Sequence, residues 1–157
     1  GFYHAGLFTV GFVFNMAGGG INDSVKFPPF SGQLIDATAI FTKELCWFLM
    51  STQEKGNTIN RAIVINKKGI VEGVTETTAG DGSWLSNIYG KCAIGNMLFS
   101  ATDDGIIRIE IDNGQITKTK EFPDTEPFVD ESTKLFIEKE GLYAVSGKEI
   151  TLLKITQ

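Results

Sequence analysis

The sequence predicts an all-β fold built from short strands, on three observations. Segments 61–65 (RAIVI), 106–111 (IIRIEI) and 150–155 (ITLLKI) are short, rich in β-branched residues and bounded by turn residues. The chain has 18 glycines and only four prolines, which is typical of a structure with many tight turns. No window of a dozen residues keeps a helical period without interruption by a glycine or a β-branched run.

The composition favours one folded domain with an acidic surface. Of the 157 residues, 42% are hydrophobic and 21% are charged, a balance that supports a buried core and argues against disorder. The formal net charge is −5, and the only adjacent basic residues are Lys67 and Lys68, beside Gly69 in a predicted hairpin turn. We therefore expect neither direct nucleic-acid binding nor electrostatic attachment to an anionic membrane.

The sequence also bears on membranes and on the redox environment. The longest apolar stretch, residues 5–17, is too short and too interrupted by glycine to predict a membrane span. Cys46 and Cys92 each lie in an apolar, strand-like run. A secreted disulfide scaffold of this size usually has more cysteines, so we expect two buried thiols and a reducing, cytoplasmic compartment.

A strand-like segment recurs along the chain. Residues 6–10 (GLFTV) match residues 141–145 (GLYAV) almost one for one. Residues 45–50 (LCWFLM) and 96–101 (NMLFSA) fit the same place in the pattern. Internal repetition at a fixed period predicts a fold assembled from copies of one supersecondary unit.

The turns and the strands that follow them recur as well. Segments 66–69 (NKKG) and 112–115 (DNGQ) predict hairpin turns, because Asn and Gly tolerate positive φ. Residues 21–28 and 116–123 share the spacing from an Ile to a Phe-Pro pair, and a loop then leads to apolar strands predicted near residues 37–41 and 133–137. The middle copy has no Phe-Pro and carries residues 78–84 (TAGDGSW) there.

A period of about 45 to 50 residues with about four strands per copy resembles the blade repeat of β-propellers. The Gly-His and Trp-Asp pairs of WD40 repeats are absent, so the resemblance is to β-propellers broadly, as a divergent repeat that is WD40-like or related. The resemblance implies a partial propeller with units at about 1–30 (partial), 31–80, 81–130 and 131–157 (partial). A β-sandwich or small barrel is the alternative, since evenly spaced hairpins also build those folds.

The two incomplete copies suggest two ways to reach a closed ring of four to eight blades. The first copy has no clear predicted strand before Gly6, and the last copy stops after three strands. The chain is then the C-terminal part of a longer propeller, which is the favoured interpretation. Alternatively, two chains form a homodimer that completes the ring.

Few residues suggest catalytic or cofactor chemistry. His4 is the only histidine, which disfavours a Ser-His-Asp or Cys-His arrangement, and two isolated cysteines do not supply a zinc site. Residues 18–20 (GGG) lack the Lys-Ser/Thr of a phosphate-binding loop and predict a flexible turn. We expect a protein without a cofactor that is not an enzyme.

Aromatic and acidic residues in the loops are the candidates for a binding surface, whereas Trp47, inside an apolar strand, is predicted to be core. Aromatic side chains on loops often anchor a protein partner. The leading hypothesis is a non-catalytic module whose loop face binds another protein. The alternative is a metal-assisted or small-molecule enzyme with aspartates of the propeller channel as ligands. The candidate residues are Trp84, Phe128, Phe30, Asp81, Asp103 and Asp104.

Overall fold

A computed structural model describes residues 2–5, 8–15, 20–26, 32–78, 89–102, 105–120, 129–139, 141–147 and 149–154. For residues 2–26 it describes the backbone. The described residues form fourteen strands and no helix, and every strand pair is antiparallel. The predicted all-β fold is confirmed.

The strands form four separate sheets, which we name A to D in chain order. Sheet A contains β1 (Phe2–Ala5), β2 (Phe8–Asn15) and β3 (Gly20–Lys26). Sheet B contains β4 (Gln33–Phe41), β5 (Leu45–Glu54), β6 (Asn57–Asn66) and β7 (Val71–Thr78). Sheet C contains β8 (Lys91–Ile94), β9 (Met97–Thr102), β10 (Gly105–Asp112) and β11 (Gln115–Lys120). Sheet D contains β12 (Lys134–Glu138), β13 (Gly141–Ser146) and β14 (Glu149–Lys154).

Within each sheet the strands are neighbours in the order in which they occur in the chain. Each sheet is therefore a meander, in which short turns connect consecutive strands. The short segment before Gly6, for which no strand was predicted, is β1, so that prediction is wrong. β1 has only four residues, too few to show an alternating pattern, and its pairing with β2 from Phe2 to Ala5 identifies it as a strand.

Turn residues recognised in the sequence form the hairpin turns. Asn113 and Gly114 connect β10 to β11 with φ of 49° and 80°, the positive values that a primed two-residue turn requires. In the turn after β6, the Asn66 side-chain oxygen accepts hydrogen bonds from the backbone N–H groups of Lys68 and Ile70, at 2.9 Å and 3.1 Å. The lysine pair thus lies in a solvated turn, as the sequence predicts.

A first core lies between sheets B and C. Trp47 is fully buried there, which confirms its prediction as a core residue. The members of this core are Trp47, Leu49, Ala62 and Val64 from sheet B and Leu98, Ile107, Ile109 and Ile111 from sheet C.

A second core lies between the other face of sheet C and sheet D. It contains Phe99, Ala101 and Ile106 from sheet C with Leu135, Leu142, Ala144 and Leu153 from sheet D. The opposite face of sheet B carries a third buried cluster, whose members are Phe48, Met50, Ile63 and Ile65. Sheets B and C are therefore buried on both faces, which explains continuous apolar runs such as residues 62–65.

Candidate binding surface

Two glycine contacts show that sheets B, C and D stack with their strands running the same way. A Cβ added to Gly73, near the start of β7, would lie 2.8 Å from Ile111 Cδ1 and 3.1 Å from the Gly114 carbonyl oxygen, at the β10–β11 turn. A Cβ added to Gly90, just before β8, would lie 2.7 Å from the Thr133 carbonyl oxygen, just before β12. Because these close approaches join equivalent strand ends, equivalent ends of all three sheets lie on one side.

We call the side where β7 and β11 end and where β8 and β12 begin the connector end. The segments that link one sheet to the next leave and enter on this side. The turn between β5 and β6 and the turn between β9 and β10 lie at the same end, because neighbouring strands are antiparallel. The hairpin turns after β6 and β10 lie at the opposite end.

All six predicted site residues fall outside the described residues. Trp84 and Asp81 lie between β7 and β8, Phe128 between β11 and β12, and Asp103 and Asp104 between β9 and β10. The strand ends that flank these segments are all at the connector end. Phe30 precedes β4 in the same way. The binding role and the alternative metal-assisted role of these residues stay predictions.

An open cavity of about 440 Å³ lies at the connector end where sheet C meets sheet D. Its walls come from the segment before β8, from the turn before β12 with the first residue of that strand, and from the end of β13 with the residue after it. The lining residues are Tyr89, Glu131, Ser132, Thr133, Lys134, Val145 and Gly147. The cavity offers hydroxyl groups, one acidic and one basic side chain, and a small apolar wall.

A hydrogen-bonded turn at Asp130 shapes one side of this cavity. Asp130 Oδ1 accepts hydrogen bonds from the backbone N–H of Ser132 at 2.8 Å and from its hydroxyl at 2.6 Å. The Ser132 hydroxyl also accepts a bond from the Gly147 N–H at 3.1 Å, which ties the turn to the loop after β13. The Thr133 and Ser146 hydroxyls lie 2.6 Å apart, which makes a second link to β13.

These bonds stabilise the ionised form of Asp130. The hydrogen bonds from the Ser132 hydroxyl and N–H lower the pKa of Asp130 below its ordinary value of 3.8, because they stabilise the carboxylate, and Thr133 adds to the effect. Asp130 is therefore ionised at neutral pH. The Ser132 hydroxyl donates a hydrogen bond to that carboxylate and accepts one from Gly147, so the turn is held in a fixed conformation.

A second polar cluster lies near the connector end of sheet B and was not recognised in the sequence. Arg61 in β6 is almost fully buried, and its guanidinium contacts Glu54 Oε1 at 2.7 Å, Glu76 Oε1 at 2.8 Å and Thr52 Oγ1 at 2.6 Å. The Ser51 hydroxyl donates to Asn60 at 2.5 Å beside it. The sequence feature that could have revealed this cluster is the charged Arg61 at the start of an otherwise apolar run.

The two cysteines form no disulfide, as predicted, but they are less buried than predicted. Cys46 and Cys92 are free thiols, but each is only partly buried. Burial raises the pKa of each thiol to about 12, so both stay protonated at neutral pH. In the described part of the chain, no three His, Cys, Asp or Glu side chains come close enough to hold a metal ion. The expected cytoplasmic compartment stays a prediction.

No protein-family model, curated protein or solved structure matches this chain. Within the described ranges, there is no helix with the length and apolarity needed to cross a lipid bilayer.

Proposed function

We propose that this chain is a β-propeller-like, non-catalytic module that binds another protein through its connector end. The observation that carries the proposal is the common orientation of sheets B, C and D, which brings the linking segments to one side. Propellers use stacked four-stranded meanders in this way and recognise partners with the loops at one end. The register of the sheets and the local features of that end support the same interpretation.

The strand register of sheets C and D supports the blade-like interpretation. Met97 opens β9 opposite Ile94, and Gly141 opens β13 opposite Glu138. Equivalent residues are thus separated by 44 positions, and the same offset relates Gly105 at the start of β10 to Glu149 at the start of β14. Two consecutive meanders with one register are what a blade repeat requires.

The cavity between sheets C and D supports recognition at the connector end. Glu131 is exposed beside it, and the turn at Asp130 is fixed by hydrogen bonds to Ser146 of β13 and to Gly147 just after that strand. A preformed polar rim loses little conformational entropy when a partner binds, so it contributes specificity at low cost. Trp84 and Phe128, in the adjoining linking segments, are the proposed aromatic anchors.

Site-specific photo-crosslinking tests this proposal. A photoreactive residue replaces Glu131 at the connector end and, as the control, Lys68 in the turn at the opposite end; both positions are exposed. In lysate of the source cell we expect one discrete protein adduct from position 131, competed away by unmodified protein, and none from position 68. Equal adducts from both positions, or none from position 131, would refute the proposal.

Alanine variants then test the proposed anchors. Trp84→Ala and Phe128→Ala should each weaken binding of the captured partner by about tenfold or more, the effect expected of an interface hot spot. Phe41→Ala is the matched control, because Phe41 is an exposed aromatic residue at the opposite end of sheet B. A loss of binding with Phe41→Ala as large as that with Trp84→Ala would contradict the assignment of the surface.

A further inference from the structure

The outer face of sheet D, which points away from sheet C, is apolar and exposed. Leu135, Leu142 and Leu153 point into the core with sheet C, so the alternate positions of the same strands point outward. The outward row of cross-strand partners is Phe136, Tyr143 and Leu152. Phe136 is 51% exposed and Leu152 is 53% exposed. Ile150, in the neighbouring row with Val145, is 71% exposed.

The equivalent face of sheet C is a packed interface. With the offset of 44 residues, Phe99, Ala101 and Ile106 correspond to Tyr143, Val145 and Ile150. In sheet C these three side chains form the core against sheet D. Sheet D therefore presents to solvent the kind of surface that sheet C uses to bind its neighbour. Contiguous exposed apolar patches of this kind mark interaction sites.

Charges on β12 indicate which partner fits this face. Lys134 and Glu138 flank Phe136 on the outward side of β12, two residues away in either direction, and both are exposed. Among the described residues, neither belongs to an ion pair. A second copy turned by a two-fold axis along the Phe136–Tyr143–Leu152 row would place each Lys134 opposite the Glu138 of the other copy. The charges of β12 are thus self-complementary, as an isologous interface requires.

We infer that the outer face of sheet D pairs with the same face of a second copy, giving a two-fold dimer in solution. The Phe136–Tyr143–Leu152 row lies on the axis and packs against itself, and the charges of β12 fix the antiparallel alignment. This dimer is a face-to-face pair and not a completed ring. The inference does not depend on the proposed partner at the connector end, because it concerns a different face of sheet D.

The solution mass and one apolar substitution test the inference first. Light scattering over a concentration series should give twice 17.1 kDa. Leu152→Lys should weaken self-association about 100-fold, because each of the two symmetric sites loses roughly a tenfold factor when a leucine contact is replaced by a charge. Ile70→Lys is the matched control, an exposed apolar residue in the β6–β7 turn, and should leave the mass unchanged. A monomer at all concentrations would overturn the inference.

Charge exchange tests the two-fold arrangement without disturbing the fold, since both residues are exposed. Lys134→Glu and Glu138→Lys should each weaken the dimer by about tenfold, and the double exchange should restore it because the opposed charges are again complementary. A dimer that the double exchange does not restore would overturn the two-fold pairing and point to a head-to-tail arrangement. Lys134 also lines the cavity at the connector end, whereas Glu138 lies at the other end of β12. Glu138→Lys should therefore weaken the dimer and leave the crosslinking from position 131 unchanged, so the two proposals fail separately.

Discussion

Ile106 in sheet C and Ile150 in sheet D occupy the same register position in consecutive meanders, yet Ile106 is 2% exposed and Ile150 is 71% exposed. Both are isoleucines near the start of the third strand of their sheet, so neither the residue nor its local strand explains the difference. The neighbouring layer explains it: sheet D covers Ile106, whereas Ile150 lies on the open face. The comparison shows that burial in this protein is a property of stacked sheets.

The largest expected effect is the difference in stability between alanine variants at these two isoleucines. Ile106→Ala should reduce the free energy of unfolding by about 3 kcal/mol, because it removes buried methyl groups and leaves a cavity between sheets C and D. Ile150→Ala should change it by less than about 0.5 kcal/mol, as at most exposed positions. Urea denaturation at low protein concentration, where self-association is negligible, measures both values. Equal losses would mean that Ile150 is covered within a single chain.

Removal of a charged side chain from a covered face is expected to reduce the free energy of unfolding more than removal of one from the open face. Arg61→Ala should reduce the free energy of unfolding by about 3 kcal/mol, because it removes a buried guanidinium and its ion pair with the largely buried Glu54. Glu76 is more exposed, so water screens part of the contribution that the Arg61–Glu76 ion pair makes to stability. Lys134→Ala, on the open face of sheet D, should cost less than about 0.5 kcal/mol. Thermal unfolding of the two variants side by side gives the comparison, and similar melting temperatures would contradict it.

Alanine substitutions at two buried glycines compare the contact between sheets C and D with the open face of sheet D. Gly90→Ala would bring a Cβ to 2.7 Å from the Thr133 carbonyl oxygen, so the backbones of sheets C and D must separate, at a cost of about 2 kcal/mol. Gly141→Ala would meet Leu152 Cδ1 at 2.7 Å, but that side chain lies on the open face and can rotate away. We expect it to cost less than about 1 kcal/mol. Chemical denaturation of both variants checks the order, and a larger loss for Gly141→Ala would reverse it.

The smallest effect concerns pH at the junction of sheets C and D. Because the folded-state pKa of Asp130 lies below 3.8, its hydrogen bonds stabilise the protein fully above that pH and are lost as the pH falls through the folded-state pKa. Ser132→Ala removes the largest cause, so the pKa of Asp130 should rise toward its ordinary value. Carboxyl NMR titration of the two proteins measures the change. An unchanged pKa would show that the Ser132 hydroxyl does not stabilise the carboxylate.

The local structure could be predicted because its causes are local. The apolar strands were recognised from their β-branched residues, and the turn at Asn113 and Gly114 from residues that accept positive φ. β1 escaped prediction because four residues carry too little pattern. The Asp130 turn has an Asp-x-Ser-Thr sequence that suits hydrogen bonds to the backbone, but the sequence does not reveal that Ser146 and Gly147 close it from another strand.

The sequence by itself determined most of the strands, the hairpin turns after β6 and β10, the all-β class and the core position of Trp47, because propensity and alternation act over a few residues. The tertiary structure alone decided which faces are covered and where charge is buried. Arg61 is paired with Glu76, 15 residues away, and the opposite fates of Ile106 and Ile150 depend on a sheet that packs against one and not the other. Burial is set by contacts between layers, and the Arg61–Glu76 ion pair by the pairing of β6 with β7 inside sheet B; both bring together residues that no local pattern connects.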